Sequence, residues 1–425
     1  MPTVRLTDFS ADVSGSWSSA FVSAFDAAGV GGKIIVPAGL YPISLPLYPK
    51  ADQTIEGEGR SITTLRIMFN NIGAWGVGEC VFNGTDTSPG VTISGITING
   101  GRSDSGVADY IEGPTTPKDT GGGVGCRVRW TVQDCRFTNI NGFKIGLFGA
   151  HGAVVQRNIF DCDSPGTGGQ PDNIGGGAGA AGIRILDNHF TSTAKGSAID
   201  ITNASDVWII NNTVEFRSII LEGVTGGRVE GNLVKGLSSG SDNGNINLKS
   251  NGAYASSIEY GVFHCRDIKV IGNTVIGSGG APGIVVSYTN SRLGPPLDAS
   301  TPSAFLRTGG NNQIMNNTII NTKDLGIVVF GDWRGKGARD IISDNYVADI
   351  TGTTWGSGIG TFKSCGIGLG VGSGDILYRN KIVNCPNGIC LGTSGTQIPG
   401  AGRVSFTHIM QTVCESVPGS VVVRA

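Results

Sequence analysis

A single right-handed parallel β-helix, an all-β solenoid with an N-terminal capping helix, is the fold class this sequence predicts, and three observations predict it. The first is a short recurring pattern: apolar, any, any, Asn, any, apolar. It reads Val155-Gln156-Arg157-Asn158-Ile159-Phe160 and returns around Asn188, Asn212, Asn232, Asn273, Asn317, Asn345 and Asn380. The second is the uneven spacing of those Asn, at 30, 24, 20, 41, 44, 28 and 35 residues. A helical repeat keeps a nearly constant length, whereas a β-solenoid repeats a short core and lets loops vary along one edge. The third is composition: 70 Gly, many β-branched residues and only 15% charged residues across 425 positions, with no collagen period.

The Asn pattern has a physical cause. Stacked coils bring equivalent residues about 4.8 Å apart, so an inward Asn can bond the coils above and below and satisfy backbone groups at a bend. At Val132-Gln133-Asp134-Cys135-Arg136-Phe137 a Cys takes the Asn place, and around His408 the pattern decays. Eleven residues before several of these Asn, a second strand carries its own inward residue: Leu147, Ile201, Leu221, Val262 and Leu369.

The ends fit a solenoid. Ser16 to Ala28 reads as an amphipathic helix with Ala20, Phe21, Ala24, Phe25 and Ala28 on one face, Ser16 as N-cap and Gly29 as stop. Such a helix would cover open strand edges. The organisation expected is a capping segment over 1–60, a β-helix with groove-forming insertions over 61–402, and a terminal coil over 403–425.

A formal net charge of −2 gives no basic field for nucleic acid, and no apolar run is long enough to span a bilayer. The first residues, Met1-Pro2-Thr3-Val4-Arg5, lack the apolar core of a secretory leader, so the chain is expected to fold in the cytoplasm or to stand without its leader. Nine Cys without a CxxC pair read as buried free thiols.

Asp8-Phe9-Ser10-Ala11-Asp12, the helix at Ala20 to Ala28, the stretch Gly31-Gly32-Lys33-Ile34-Ile35-Val36-Pro37-Ala38-Gly39-Leu40-Tyr41 and Thr54-Ile55-Glu56-Gly57-Glu58-Gly59-Arg60-Ser61 resemble the opening of pectate-lyase-like β-helix proteins. With the Asn ladder, the resemblance covers most of the chain. It implies a superfamily of polysaccharide lyases, glycoside hydrolases, uronate epimerases, a fructotransferase and bacteriophage tailspikes, and it does not select one reaction. The catalytic motifs of polygalacturonases, mannuronan epimerases and pectate lyases are absent. In organisation the chain is most similar to a phage tailspike depolymerase, which implies a homotrimer in a virion or another extracellular setting.

Chemistry is expected beside the elaborated loops. Insertions follow Asn232 and Asn273 and occupy 101–123, 161–182 and 350–364. For a polysaccharide partner, Lys249, Tyr254, Tyr260, Tyr288, Arg292, Trp333 and Arg334 supply rings and cations against sugar faces and hydroxyls. For hydrolysis, two carboxylates must flank one bond. Asp200 precedes inward Ile201 and Glu222 follows inward Leu221, so both point outward, one coil and two residues apart. That is roughly 8 Å, within the range for an inverting hydrolase. Asp332 is a third candidate. The alternatives are a uronate lyase, using a base with Lys249, Arg292 or Arg334 as the neutralising cation, and a non-catalytic glycan-binding spike. No cofactor or metal ligand set is expected, although Asp161, Asp163 and Asp172 could hold a structural calcium with loop carbonyls. His151 and His264 read as turn or packing residues.

Overall fold

The computed structural model describes all residues except 1, 70–79, 101–111, 114–115, 118–121, 141–142, 162–171, 178, 192–195, 237–243, 251–263, 278–280, 289–308, 332–338, 358–359, 371, 374, 392–403, 406–407, 420–421 and 425. The chain divides into two compact units, Met1–Asp200 and Ile201–Ala425. Both are built from short parallel strands in three sheets.

In the second unit each coil runs from a strand of sheet 1 (such as Thr225–Glu230), around a sharp corner, into a strand of sheet 2 (Leu233–Lys235), and then into a strand of sheet 3 (Ile246–Lys249). The next coil repeats the path in register. Ile209, Val229, Val270, Ile314, Ile342 and Leu377 are aligned through sheet 1. Leu221, Leu248, Val286, Val329 and Leu369 are aligned through sheet 3. All eleven are fully buried. Each such side chain removed from water contributes about 1.5–3 kcal/mol, so the columns hold the coils together. This is a parallel β-helix.

The Asn ladder supplies the corner. Asn232 Nδ2 donates to Asn273 Oδ1 at 2.9 Å, Asn273 to Asn317 at 2.9 Å, Asn317 to Asn345 at 2.9 Å and Asn345 to Asn380 at 2.9 Å. Each Oδ1 also accepts the backbone N–H of the preceding rung, and each Nδ2 also reaches a sheet-1 carbonyl. The residue just before the Asn makes the turn in the left-handed region: Gly231 at φ +64°, Gly272 at +64°, Asn316 at +56°, Asp344 at +57° and Arg379 at +50°. Gly, Asn and Asp tolerate this region best. The apolar-x-x-Asn-x-apolar motif is therefore two short strands on either side of one corner, and each coil has three strands.

The first unit follows the same plan. Ile34, Ile55, Ile93, Val132, Val155 and Ile185 align through sheet 1. In sheet 2, Phe137, Phe160 and Phe190 stack with centroids 5.1 and 4.5 Å apart and planes within 8°. Asn158 Nδ2 donates to Asn188 Oδ1 at 3.0 Å, and Asn158 Oδ1 accepts the N–H of Cys135 at 2.9 Å.

The capping helix is Ser18–Ala28, with Ala20, Phe21, Ala24, Phe25 and Ala28 buried. Trp17 and not Ser16 occupies the N-cap position, because the Ser16 hydroxyl lies one residue further out, where it accepts the Ser18 N–H at 3.3 Å. Gly29, at φ +66°, ends the helix, and Gln53 Nε2 takes up the carbonyls of Phe25 and Gly29 at 2.8 and 2.9 Å. Eight Cys are described and none of them is in a disulfide; seven are buried and Cys414 is half-buried. No helix among the described residues is long and apolar enough to cross a membrane.

One register expectation is corrected. Val262 lies outside the described residues, and the sheet-3 partner of Leu221 on the next coil is Leu248. The strand Ile246–Lys249 is followed by an insertion before the sheet-1 strand Arg266–Ile271, so the offset of eleven fails in that coil.

Candidate functional site

Side chains on a strand alternate between faces, so the inward column of sheet 3 fixes what lies on its outer face. In the second unit Glu222, Lys249, Ser287 and Phe330 are aligned on consecutive coils, each one place after an inward residue. The Asn203 N–H donates to Glu222 O at 2.8 Å, which sets Thr202 beside Glu222 in the same row. The row therefore reads Thr202, Glu222, Lys249, Ser287, Phe330: a carboxylate and an ammonium on adjacent strands, flanked by hydroxyls and closed by a ring.

This outer face is not bare. Glu222 is only 6% exposed, and Ile220, Val285, Ser287, Val328 and Phe330 are buried as well. The expectation that Glu222 points outward agrees with the register, yet its side chain is buried there. One cover is described. The antiparallel hairpin of Thr354–Ser357 and Gly360–Lys363 carries Phe362 into a cluster with Val285, Leu325, Val328, Phe330, Cys365 and Cys390. The Phe362 and Phe330 rings meet edge to face at 6.5 Å, and a Cβ at Gly368 would lie 3.1 Å from the Phe362 ring.

Lys249 is half-buried at the end of its strand. Two groups hold that end. Cys265 Sγ reaches Lys249 O at 3.4 Å, and His264 Nδ1 meets the hydroxyl of Ser250 at 2.5 Å. Ser250 N also donates to Ser287 O at 3.1 Å. Burial pushes His264 down to about 4, so its ring is neutral at physiological pH and works as a packing and hydrogen-bonding group.

Asp200 closes the first unit. It sits half-buried between fully buried Ile199 and Ile201, so its side chain faces outward. Tyr288 is corrected outright. It was expected on the binding face but is 1% exposed, because it lies two places after inward Val286 and so shares the interior side of its strand. Its hydroxyl donates to Asp340 Oδ2 at 2.5 Å and accepts from Asn312 Nδ2 at 2.9 Å. Asp332, Tyr254, Tyr260, Arg292, Trp333 and Arg334 lie outside the described residues, as does Asp163. Of the other acids considered for calcium, Asp161 pairs with Arg136 at 2.5 Å, and Asp172 accepts the Ser197 N–H. Among the described residues no three His, Cys, Asp or Glu side chains converge to hold a metal.

The sequence matches no family model and no curated protein. Solved structures are similar in fold. The catalytic unit of a GH87 α-1,3-glucanase from Streptomyces thermodiastaticus superposes with a TM-score of 0.59 at 14% identity, over 98% of this chain and 69% of that one. The surface adhesin PfbA of Streptococcus pneumoniae gives 0.54 at 15% identity, over 90% of each chain. A DFA-IIIase mutant from Arthrobacter chlorophenolicus gives 0.53 at 15% identity, over 89% of this chain and 94% of that one. The fold is the right-handed parallel β-helix. At such identities the likeness extends to the fold alone.

Proposed function

We propose that this chain is a carbohydrate-active protein that binds a polysaccharide where half-buried Thr202 and Lys249 flank Glu222 on the outer face of sheet 3 in its second unit, and cleaves it by acid/base glycoside hydrolysis. The row Thr202, Glu222, Lys249, Ser287 carries the reading. It sets a carboxylate, a cation and two hydroxyls at about 4.8 Å steps on a rigid sheet, a spacing suited to successive groups of an extended polar polymer. The solved structures of similar fold support it, since two carry the names of a glucanase and a DFA-IIIase and one that of a surface adhesin.

In this reading Glu222 is one of the two carboxyl groups that hydrolysis requires, moving a proton to the leaving oxygen or from the attacking water. Lys249 and the hydroxyls hold the sugar. Asp332 is the candidate for the second carboxyl. The finer assignment is a depolymerase of tailspike type, working as a homotrimer on a virion or another extracellular surface; a monomer by light scattering at micromolar concentration removes that assignment.

The adjacency of Glu222 and Lys249 also favours a second reading, elimination on a uronate polymer, with the carboxylate as base and the ammonium neutralising the uronate. Products separate the readings. Hydrolysis gives reducing ends without ultraviolet absorbance, elimination gives an unsaturated, absorbing end, and a pure adhesin gives neither while still binding. Glu222→Gln keeps size and shape, so it should fold and bind normally and lose cleavage by roughly 10²–10⁴-fold. A fully active variant removes Glu222 from the chemistry.

A further inference from the structure

The second unit contains another ladder, at the corner where the chain enters sheet 1. Its rungs are Asn312, Asp340 and Asp375. The Ile268 N–H donates to Asn312 Oδ1 at 3.0 Å, the Asn312 N–H to Asp340 Oδ1 at 2.8 Å, and the Asp340 N–H to Asp375 Oδ1 at 3.0 Å. The device is that of the Asn ladder, with carboxyls on two of its rungs. All three side chains are fully buried.

The difference lies in the second atom of each group. An Asn brings its own donor, and Asn312 Nδ2 gives its protons to the Tyr288 oxygen at 2.9 Å and to Cys265 O at 3.3 Å. A carboxylate brings only acceptors. Asp340 Oδ2 is served by the Tyr288 hydroxyl at 2.5 Å, whereas Asp375 Oδ2 is buried with no hydrogen-bond partner among the described residues. Two carboxyls on neighbouring rungs, about 4.8 Å apart in an apolar interior, are costly to ionise together.

We propose that Asp340 and Asp375 hold a proton between them and form a pH-sensing site, connected through Tyr288 and His264 to the end of the strand that presents Lys249. The proton sits on Asp375 Oδ2, the oxygen that lacks a donor, and passes to solvent as the pH rises. The titratable groups facing the pair from the described elements are Tyr288, at the end of Ile284–Tyr288, and His264 behind it, just before Arg266–Ile271. Burial and the Asp340 charge push Tyr288 well above 10, so it stays protonated; His264, lowered to about 4, stays neutral. Burial raises Asp340 to about 6, and burial with the Asp340 charge raises Asp375 to about 7. Both folded values exceed the ordinary 3.8, so the stability this site contributes is complete below about pH 4 and is lost as pH rises through 6 and 7.

The connection is continuous. Tyr288 bridges Asp340 and Asn312. Its ring lies edge-on to His264 at 5.7 Å, and His264 bonds Ser250, the residue after Lys249. Ionising the acid pair lowers the cost of opening these coils, and the end of Ile246–Lys249 loosens with them.

Amide hydrogen exchange of the full chain, corrected for intrinsic rates, tests this without any substrate. Between pH 5.5 and 8, protection of Ile246–Lys249 and Arg266–Ile271 should fall at least tenfold in the native protein, as between one and two protons are released. Asp375→Asn should lose clearly less protection over the same range, since only Asp340 still titrates in it. Equal losses in both proteins, or pH-independent protection in the native one, overturn the proposal. Should the variant not fold, infrared spectra of the native protein decide: a protonated-carboxyl band at pH 6 that vanishes by pH 8 is required, and its absence at pH 6 overturns the proposal. Recovery of protection at pH 8 on adding calcium or sodium chloride alone would make the pair a cation site and overturn it too.

Discussion

Replacing Asn273 by Ala should cost several kcal/mol, a result that would measure what the Asn ladder contributes. The Asn273 carboxamide makes four hydrogen bonds. Its Oδ1 accepts from Asn232 N at 3.0 Å and Asn232 Nδ2 at 2.9 Å, and its Nδ2 donates to Val229 O at 2.8 Å and Asn317 Oδ1 at 2.9 Å. Two of these partners keep another bond after truncation: Asn232 Nδ2 still reaches Ile209 O at 2.8 Å, and Asn317 Oδ1 still accepts the backbone N–H of residue 273 at 2.9 Å. The Val229 carbonyl keeps its place in the sheet-1 ladder between Thr225–Glu230 and Arg266–Ile271, and only the Asn232 N–H loses its bond outright. Taking about 1–3 kcal/mol for the one buried group left unmet and about 1 kcal/mol for each of the three ordinary bonds lost, the sum is about 4–6 kcal/mol. A water entering the vacated space would bring the result toward the lower end. A whole domain is worth only about 5–15 kcal/mol, so the variant should be severely weakened. Urea unfolding followed by circular dichroism, with the slope compared to detect any change in the unfolding unit, is the assay. Asn380→Ala is the internal reference, since only three side-chain bonds are described there, and it should cost about 1 kcal/mol less. An Asn273→Ala loss below about 1 kcal/mol at unchanged slope would mean that backbone pairing and the apolar columns suffice, and the ladder argument would be wrong.

Two further outcomes follow from the cover over sheet 3 and from the thiols. Phe362→Ala removes a fully buried ring from the cluster on that sheet and should cost about 3–5 kcal/mol, with new proteolytic cuts between residues 354 and 363; an unchanged digest would show that the hairpin is held by something else. Cys414 should react with a thiol reagent ahead of Cys80, Cys135 and Cys265 in the native protein, because those three are buried and pushed up to about 12 by that burial; mass spectrometry that finds any of the three labelled ahead of Cys414 would contradict the burial described.

The fold was legible because a solenoid writes its contacts into the sequence at fixed offsets. Asn158, Asn188, Asn212, Asn232, Asn273, Asn317, Asn345 and Asn380 are buried at equivalent corners, and Leu147, Ile201, Leu221 and Leu369 are inward as the offset of eleven requires. The corner itself was harder to read. Its left-handed residue is Arg157, Asp187, Asn211, Gly231 or Asp344 in different coils, a mixture with no chemical signature beyond tolerance of the solvent-facing turn. Two strands therefore read as one. Val262 failed for a simpler reason: the offset holds only where no loop intervenes between sheets 3 and 1, and in that coil one does.

The site was legible by parity and not by cover. Counting from inward Leu221 sets Glu222 on the outer face, but parity says nothing of cover, and so its near-complete burial could not be read. Tyr288 shows the complementary error, a residue assigned to the binding face that parity places inside. The acid ladder did leave a signal. Asn312, Asp340 and Asp375 each stand five residues before a ladder Asn (Asn317, Asn345 and Asn380), as fully buried Ile268, Val207 and Ile183 stand before Asn273, Asn212 and Asn188. A carboxyl at an offset where other coils place Val or Ile is a charge carried into an apolar column. Chemistry of that kind is found in a solenoid by asking which member of each column breaks its rule, and the long loops need not be consulted to find it.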